Sequence, residues 1–350
     1  MVTLNDVKAA NAALVNRKPF VAVIAGGTAG IGECAVRGLA SIFAAQGDQL
    51  RVYIIGRNQE AAEKVASDCE SLCPGGTFRF IQGNLALIKE VDRICAEITE
   101  AEHEHAKTGN QMAKVDFLLC SQGVITTVFQ DTVEGIDRTF SLSFFSRMRF
   151  VVQLLPLLSN APNGGHFVSV FNARIKPSIR IDDMGLRKPS NQGFSVAFGH
   201  ITGMTNVFIS ELARRNPGKI ALSHVYPGFV NTAIGEKAEI PGWWKFISKW
   251  FIKPLTRRLY IPFDEVAQRM VYMATDRFTP ALTENAEGVA VAEGLDGIKG
   301  SGAYRVDNSG ETYPHNKEYV KLRDNGDAEK VYQYTMEVFK DIETNGVHKE

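Results

Sequence analysis

The sequence predicts an α/β fold, a doubly wound and mostly parallel sheet of seven strands with helices on both faces. Short apolar runs (VAVIA, LRVYIIG, TFRFIQ, VDFLLC, HFVSVF, KIALSHV) alternate with segments of helical period, the order that builds βαβ units. The first run passes straight into the glycine cluster GGTAGIG and then into ECAVRGLASIFAAQ, whose apolar positions recur at helical spacing. With 45% hydrophobic residues in 350 the chain can bury one large core, and no repeat, low-complexity tract or linker divides it. One domain is therefore expected over 1–350: a surface helix (1–18), a cofactor-binding core (19–234), a lid (235–262) and a C-terminal completion (263–350), with GAYRV (302–306) closing the sheet and EKVYQYTMEVFKDI as a final helix.

Composition narrows the function classes. Thirty-nine basic and 39 acidic residues cancel, so no long-range field recruits nucleic acid. Five cysteines, odd in number and without C-x-x-C spacing, read as reduced thiols in a cytoplasmic protein. The N-terminus has no secretory apolar core, and no stretch has the length to span a bilayer. His103 and His105 flank Glu104, but residues two apart do not share a helix face, so no metal is expected.

The glycines carry the first chemistry. Gly26 lets the chain turn tightly out of the strand, Gly30 lets backbone N–H groups approach a pyrophosphate, and Gly32 lets the helix pack close to the sheet. Thr28 and Ile31, in the same loop, join the expected cofactor contacts. The spacing G-x-x-x-G-x-G resembles the opening of the short-chain dehydrogenase/reductase family, which implies a Rossmann fold and a nicotinamide cofactor. At the exit of the second strand stand Arg57 and Asn58. An acid there would bind the 2′-hydroxyl of NAD, whereas Arg57 suits the 2′-phosphate, so NADP(H) is the expected cofactor.

The resemblance continues along the chain. It places Asn84 and Leu85 beside the adenine, with an amide where the family usually has an aspartate. Ser121 and Gly123 fall where the family has N-N-A-G. Pro227, Gly228, Val230 and Thr232 match the nicotinamide-side loop as they stand. Beyond that loop PGWWKFISKWFIKPLTRRLYIP (241–262) mixes Trp243, Trp244, Phe246, Trp250 and Phe251 with lysines and arginines. It reads as a substrate lid walling an apolar pocket for a small molecule, with a membrane-surface helix as its rival.

The family's catalytic tetrad is replaced. Alignment on ELAR (211–214) puts Phe198 in the place of the proton-donating tyrosine, Thr202 in that of the lysine, Asn172 or Phe171 in that of the serine, and Ser143 in that of the asparagine. No tyrosine lies between Tyr53 and Tyr226, and no lysine between Lys188 and Lys219, so no shift of alignment restores the acid. Phenylalanine keeps the ring and removes the proton. Asn172, at a strand end facing the crevice, Ser143 and His200 are the remaining polar candidates.

The whole chain resembles short-chain-reductase-like proteins of fungal secondary metabolism, some of which lack the tetrad and act on imines or assist cyclisation. The expectation is an NADPH-dependent reductase with a non-standard site, acting on a natural-product intermediate. The rivals are a non-redox isomerase, cyclase or dehydratase and a non-catalytic NADP-binding regulator. A homo-oligomer is left open.

Overall fold

The computed structural model describes residues 2–232, 239, 259–281, 290–313 and 317–349. Strands β1 (Phe20–Ala25), β2 (Leu50–Gly56), β3 (Thr77–Gln82), β4 (Phe117–Cys120), β5 (Gly165–Val170), β6 (Ile220–Val225) and β7 (Ala303–Val306) form one sheet in the order β3-β2-β1-β4-β5-β6-β7. All of its ladders are parallel, so the expected mostly parallel sheet is wholly parallel. β1, β4, β5 and β6 are buried along their whole length, which is why they read as continuous apolar runs. Only the edge strand β3 alternates, because one of its faces meets solvent.

Successive residues of β1 point to opposite layers. Val21, Val23 and Ala25 join the layer containing α4 (Ile88–Gly109), α5 (Ser146–Ser159) and α6 (Phe194–Arg215), with the C-terminal α8 (Asp327–Asn345) packed against it. Ala22 and Ile24 join the layer of α2 (Gly30–Ile42), α3 (Gln59–Leu72) and α7 (Phe263–Tyr272). The chain moves outward from β1 to β3 and then returns to β4. The sheet's switch point therefore lies between β1 and β4, where such folds open a crevice at the strands' carboxyl ends.

Two details differ from the sequence reading. The first helix, α1 (Leu4–Ala12), opens with a Thr3–Asp6 capping box, buries Val7 and Asn11, and donates from Asn11 Nδ2 to the Gln268 carbonyl at 2.8 Å. It is docked on α7 and not merely laid on the surface. The single helix expected from TFSLSFF onward is interrupted by a π turn at Ser141–Phe145. Of the expected lid (235–262), residues 235–238 and 240–258, with Trp243, Trp244, Phe246, Trp250 and Phe251, lie outside the described residues. Among the described residues no helix is long and apolar enough to cross a membrane.

Candidate active site

The glycine loop is built to leave no room for side chains. Gly26 has φ +84° and its N–H donates to the Ile55 carbonyl at 2.9 Å, which locks the turn to β2. A Cβ on Gly32 would stand 2.3 Å from the Gly26 oxygen and 2.6 Å from Ser121 Oγ, so the start of α2 sits directly on the loop. Gly30, at φ +61°, faces a different neighbour, since its added Cβ would meet only the Thr232 side chain at 3.1 Å. The loop after β6, carrying Pro227, Gly228, Val230 and Thr232, thus arches over the start of α2, and two segments about two hundred residues apart form one cradle. Ile31 is half-buried and packs into the layer beneath.

Thr28 packs on Gly56, whose added Cβ would lie 2.6 Å from Thr28 Cγ2. The exit of β2 therefore adjoins the glycine loop. Arg57 is exposed there, with no hydrogen bond to its guanidinium among the described residues, and its backbone carbonyl accepts from Gln82 Nε2. Asn58 beside it spends its side-chain oxygen on the Ala61 N–H as the cap of α3. Asn84 is exposed, and its oxygen accepts from Ala86 N at 3.2 Å, while Leu85 is buried. Ser121 turns inward, with Oγ within hydrogen-bond reach of the Ala25 and Gly26 carbonyls at 3.2 and 3.4 Å, so it braces the glycine loop from below. Gly123 is exposed at the mouth of the crevice.

Farther along the carboxyl ends of the strands, three of the four replaced tetrad positions meet. Phe198 stacks between Phe194 and Phe171, with ring centroids 4.2 and 5.1 Å away. Thr202, one turn on, donates to the Asn172 carbonyl at 3.4 Å. Asn172 lies two residues beyond the end of β5, and its side-chain oxygen is buried without a partner. Ser143 sits inside the π turn, 1% exposed, and is not bonded to Asn172.

His200, the third polar candidate, does not join this group. It is wholly buried, Nδ1 accepts from the Arg180 N–H at 3.0 Å, and Nε2 meets the Met184 carbonyl at 3.0 Å. Burial pushes its pKa down to about 4. Both ring nitrogens are spent holding the 173–193 connection, and Asp183 completes the clamp by accepting from the backbone of Arg187 and Lys188 and from Asn191 Nδ2.

This clamped connection closes one side of an apolar cavity of about 250 Å³, walled by Thr126, Val128, Phe140, Leu186, Phe194 and Phe198. Leu186 holds φ +55° with its side chain 2% exposed. A bulky residue kept in the left-handed region marks a position where the surroundings fix the conformation. The sequence reading missed Asp183, Leu186 and the buried Arg147. For Arg147 a signal existed, a charge at helical spacing among Phe140, Phe144, Val151 and Leu154.

A short chain dehydrogenase family model matches residues 20–173. The short-chain dehydrogenase/reductase SAT2 of Stachybotrys chartarum is 32% identical, over 98% of this chain and 98% of its own. Oxidoreductase AN1596 of Emericella nidulans is also 32% identical, over 96% of this chain and 97% of its own. Among solved structures, L-sorbose reductase from Gluconobacter frateurii, complexed with NADPH and L-sorbose, aligns with a TM-score of 0.51 at 16% identity, covering 76% of this chain and 93% of that one. At that identity the likeness speaks to the fold. The relatives that match over nearly their whole length establish that this chain belongs to the short-chain dehydrogenase/reductase family.

Proposed function

We propose that the chain is an NADPH-dependent reductase that works without the tyrosine acid, on a small apolar intermediate of secondary metabolism. The observation that carries this reading is Phe198 in the wall of an apolar cavity, with Thr202 and Asn172 beneath it and the cradle of Gly26, Gly30, Gly32 and Thr232 alongside. The cradle fits a dinucleotide, because its glycines leave bare backbone where a pyrophosphate would lie. Arg57, Thr28 and Asn84 would hold the adenosine end, and Gly123, Pro227, Gly228 and Val230 the nicotinamide end. When bound, the dinucleotide supplies a hydride. Asn172 would polarise the acceptor by donating from its side-chain amide N–H, while Phe198 lines the cavity with an apolar ring and supplies no proton. The relatives named as fungal short-chain reductases and oxidoreductases support the substrate class.

The cofactor half is tested by calorimetric titration of NADPH and NADH. A charge-assisted contact to the 2′-phosphate is worth about 1.5–3 kcal/mol, so NADPH binds at least about tenfold more tightly and Arg57→Ala erases the difference. Equal affinities for the two nucleotides refute the assignment. The non-redox reading is favoured by the lack of a tyrosine at position 198, and product formed without NADPH consumption would select it.

A further inference from the structure

Arg147 is 1% exposed on the apolar face of α5. Its Nε donates to the Leu142 carbonyl at 3.0 Å, Nη1 to Ser169 Oγ at 3.0 Å and the Val170 carbonyl at 2.7 Å, and Nη2 to the Gln122 carbonyl. Every acceptor is neutral. The other two buried cations among the described residues have carboxylates: Lys114 pairs with Asp116 at 2.9 Å and Arg149 with Asp92 at 2.5 Å. Arg147 has none. The nearby Cys120 thiol is pushed up to about 12 by burial and so stays neutral, while the guanidinium falls only to about 10 and stays charged. Burying a cation with no anion is costly, and a chain that only needed to tie strand ends could use neutral donors.

The location of this charge suggests its use. Three of its four acceptors lie at the carboxyl ends of β4 and β5, on the crevice side of the sheet. Nη2 is 3.9 Å from where a Cβ on Gly123 would be, and Cζ is 5.7 Å from the centroid of Phe171, whose ring packs on Phe198. The guanidinium is thus one aromatic layer behind the cavity wall, in a region where little water screens it.

We propose that Arg147 selects charge in the crevice. Its unpaired positive charge favours the uncharged reduced nicotinamide over the cationic oxidised ring, and an acceptor that gathers negative charge on oxygen over a preformed iminium. This rests on the dinucleotide reading above and narrows its substrate class to a neutral carbonyl or conjugated carbonyl, setting aside the imine that the family resemblance brought in. In that step the hydride forms a C–H bond at the acceptor carbon, the π pair moves onto oxygen, and a solvent proton completes the product as the dinucleotide is left oxidised. Arg147 touches neither partner in this scheme and acts as a positioning charge.

The test is the ratio of dissociation constants for NADP⁺ and NADPH, measured by titration of the full chain, Arg147→Met and Gln122→Glu. The second variant keeps Arg147 and adds a carboxylate on the residue whose carbonyl it already binds, so the proposal stays testable if Arg147→Met does not fold. The ratio should fall about tenfold in each folded variant, equivalent to about 30 mV in the bound couple. A loss of affinity shared equally by both nucleotides, with the ratio unchanged, is what a structural brace would give and overturns the proposal. Failure of the unmodified chain to bind either nucleotide overturns the dinucleotide reading itself, and this inference with it.

Discussion

Gly32→Ala isolates the contribution of close backbone approach to the cofactor cradle. The added methyl would lie 2.3 Å from the Gly26 oxygen and 2.8 Å from the Gly26 carbonyl carbon, against an ordinary nonbonded separation of about 3.5 Å. Ser121 Oγ, 2.6 Å away, can rotate aside. Gly26 cannot, because its N–H is bonded to Ile55 and its φ of +84° fixes the turn. The helix α2 must therefore lift by about 1 Å. Its far side offers little room, since a Cβ on Gly38 would already be 3.1–3.2 Å from Ala267 of α7. Overpacking of this kind costs about 1–3 kcal/mol, and the lifted helix carries its free N–H groups away from the pyrophosphate position. The expected result is a folded variant with a melting temperature lower by a few degrees and NADPH affinity reduced at least about tenfold, read by thermal melts and calorimetry. Gly218→Ala is the control. It has φ +71° but nothing within 4 Å of an added Cβ, so it bears only a left-handed backbone penalty of about 1–2 kcal/mol and leaves NADPH affinity unchanged. Unaltered NADPH binding by Gly32→Ala would refute the cradle argument.

Three further outcomes are expected. His166 and His224 are held down to about 3 and His200 to about 4 by burial, so the unfolded chain takes up protons first as pH falls. Stability is then flat above about pH 7 and drops from about pH 6.5 downward, with His200→Gln reducing the slope of denaturation midpoint against pH between about 6.5 and 5; an unchanged slope counts against the buried-neutral assignment. Restoring the family acid and lysine with Phe198→Tyr plus Thr202→Lys should leave native turnover no higher, whereas Asn172→Ala lowers kcat by up to about 10²–10³-fold if it supplies one transition-state hydrogen bond; a rise of orders of magnitude in the double variant would refute the reading that the step works without the tyrosine acid. Replacing Trp243, Trp244 and Phe246 by alanine should weaken substrate binding without changing sedimentation with anionic vesicles, and vesicle pelleting lost in that variant would select the membrane-surface alternative.

What the sequence disclosed, and what it hid, follows from how each feature is encoded. The glycines, the seven-stranded sheet and the missing tyrosine were legible because they are matters of residue identity and spacing. Gly26 and Gly32 admit no side chain, and no rearrangement turns Phe198 into an acid. Polar residues are different, since their role depends on which atoms remain after local bonding. His200 and Ser121 have the right types for a site, yet one is consumed by the Arg180 N–H and Met184 carbonyl and the other by the glycine loop. Asn172 keeps a free side-chain oxygen, while its backbone carbonyl takes the bonds from Ile175 N and Thr202. None of these allocations has a one-dimensional signature.

Arg147 falls between the two cases. Its place on the stripe of Phe140, Phe144, Val151 and Leu154 could be counted from the sequence, and a charge there breaks the apolar pattern. Its lack of a carboxylate could not be counted, because the paired Arg149, two residues on, looks the same in one dimension and is answered by Asp92 from α4. The π turn matters here, since Arg147 Nε reaches back five residues to the Leu142 carbonyl within it.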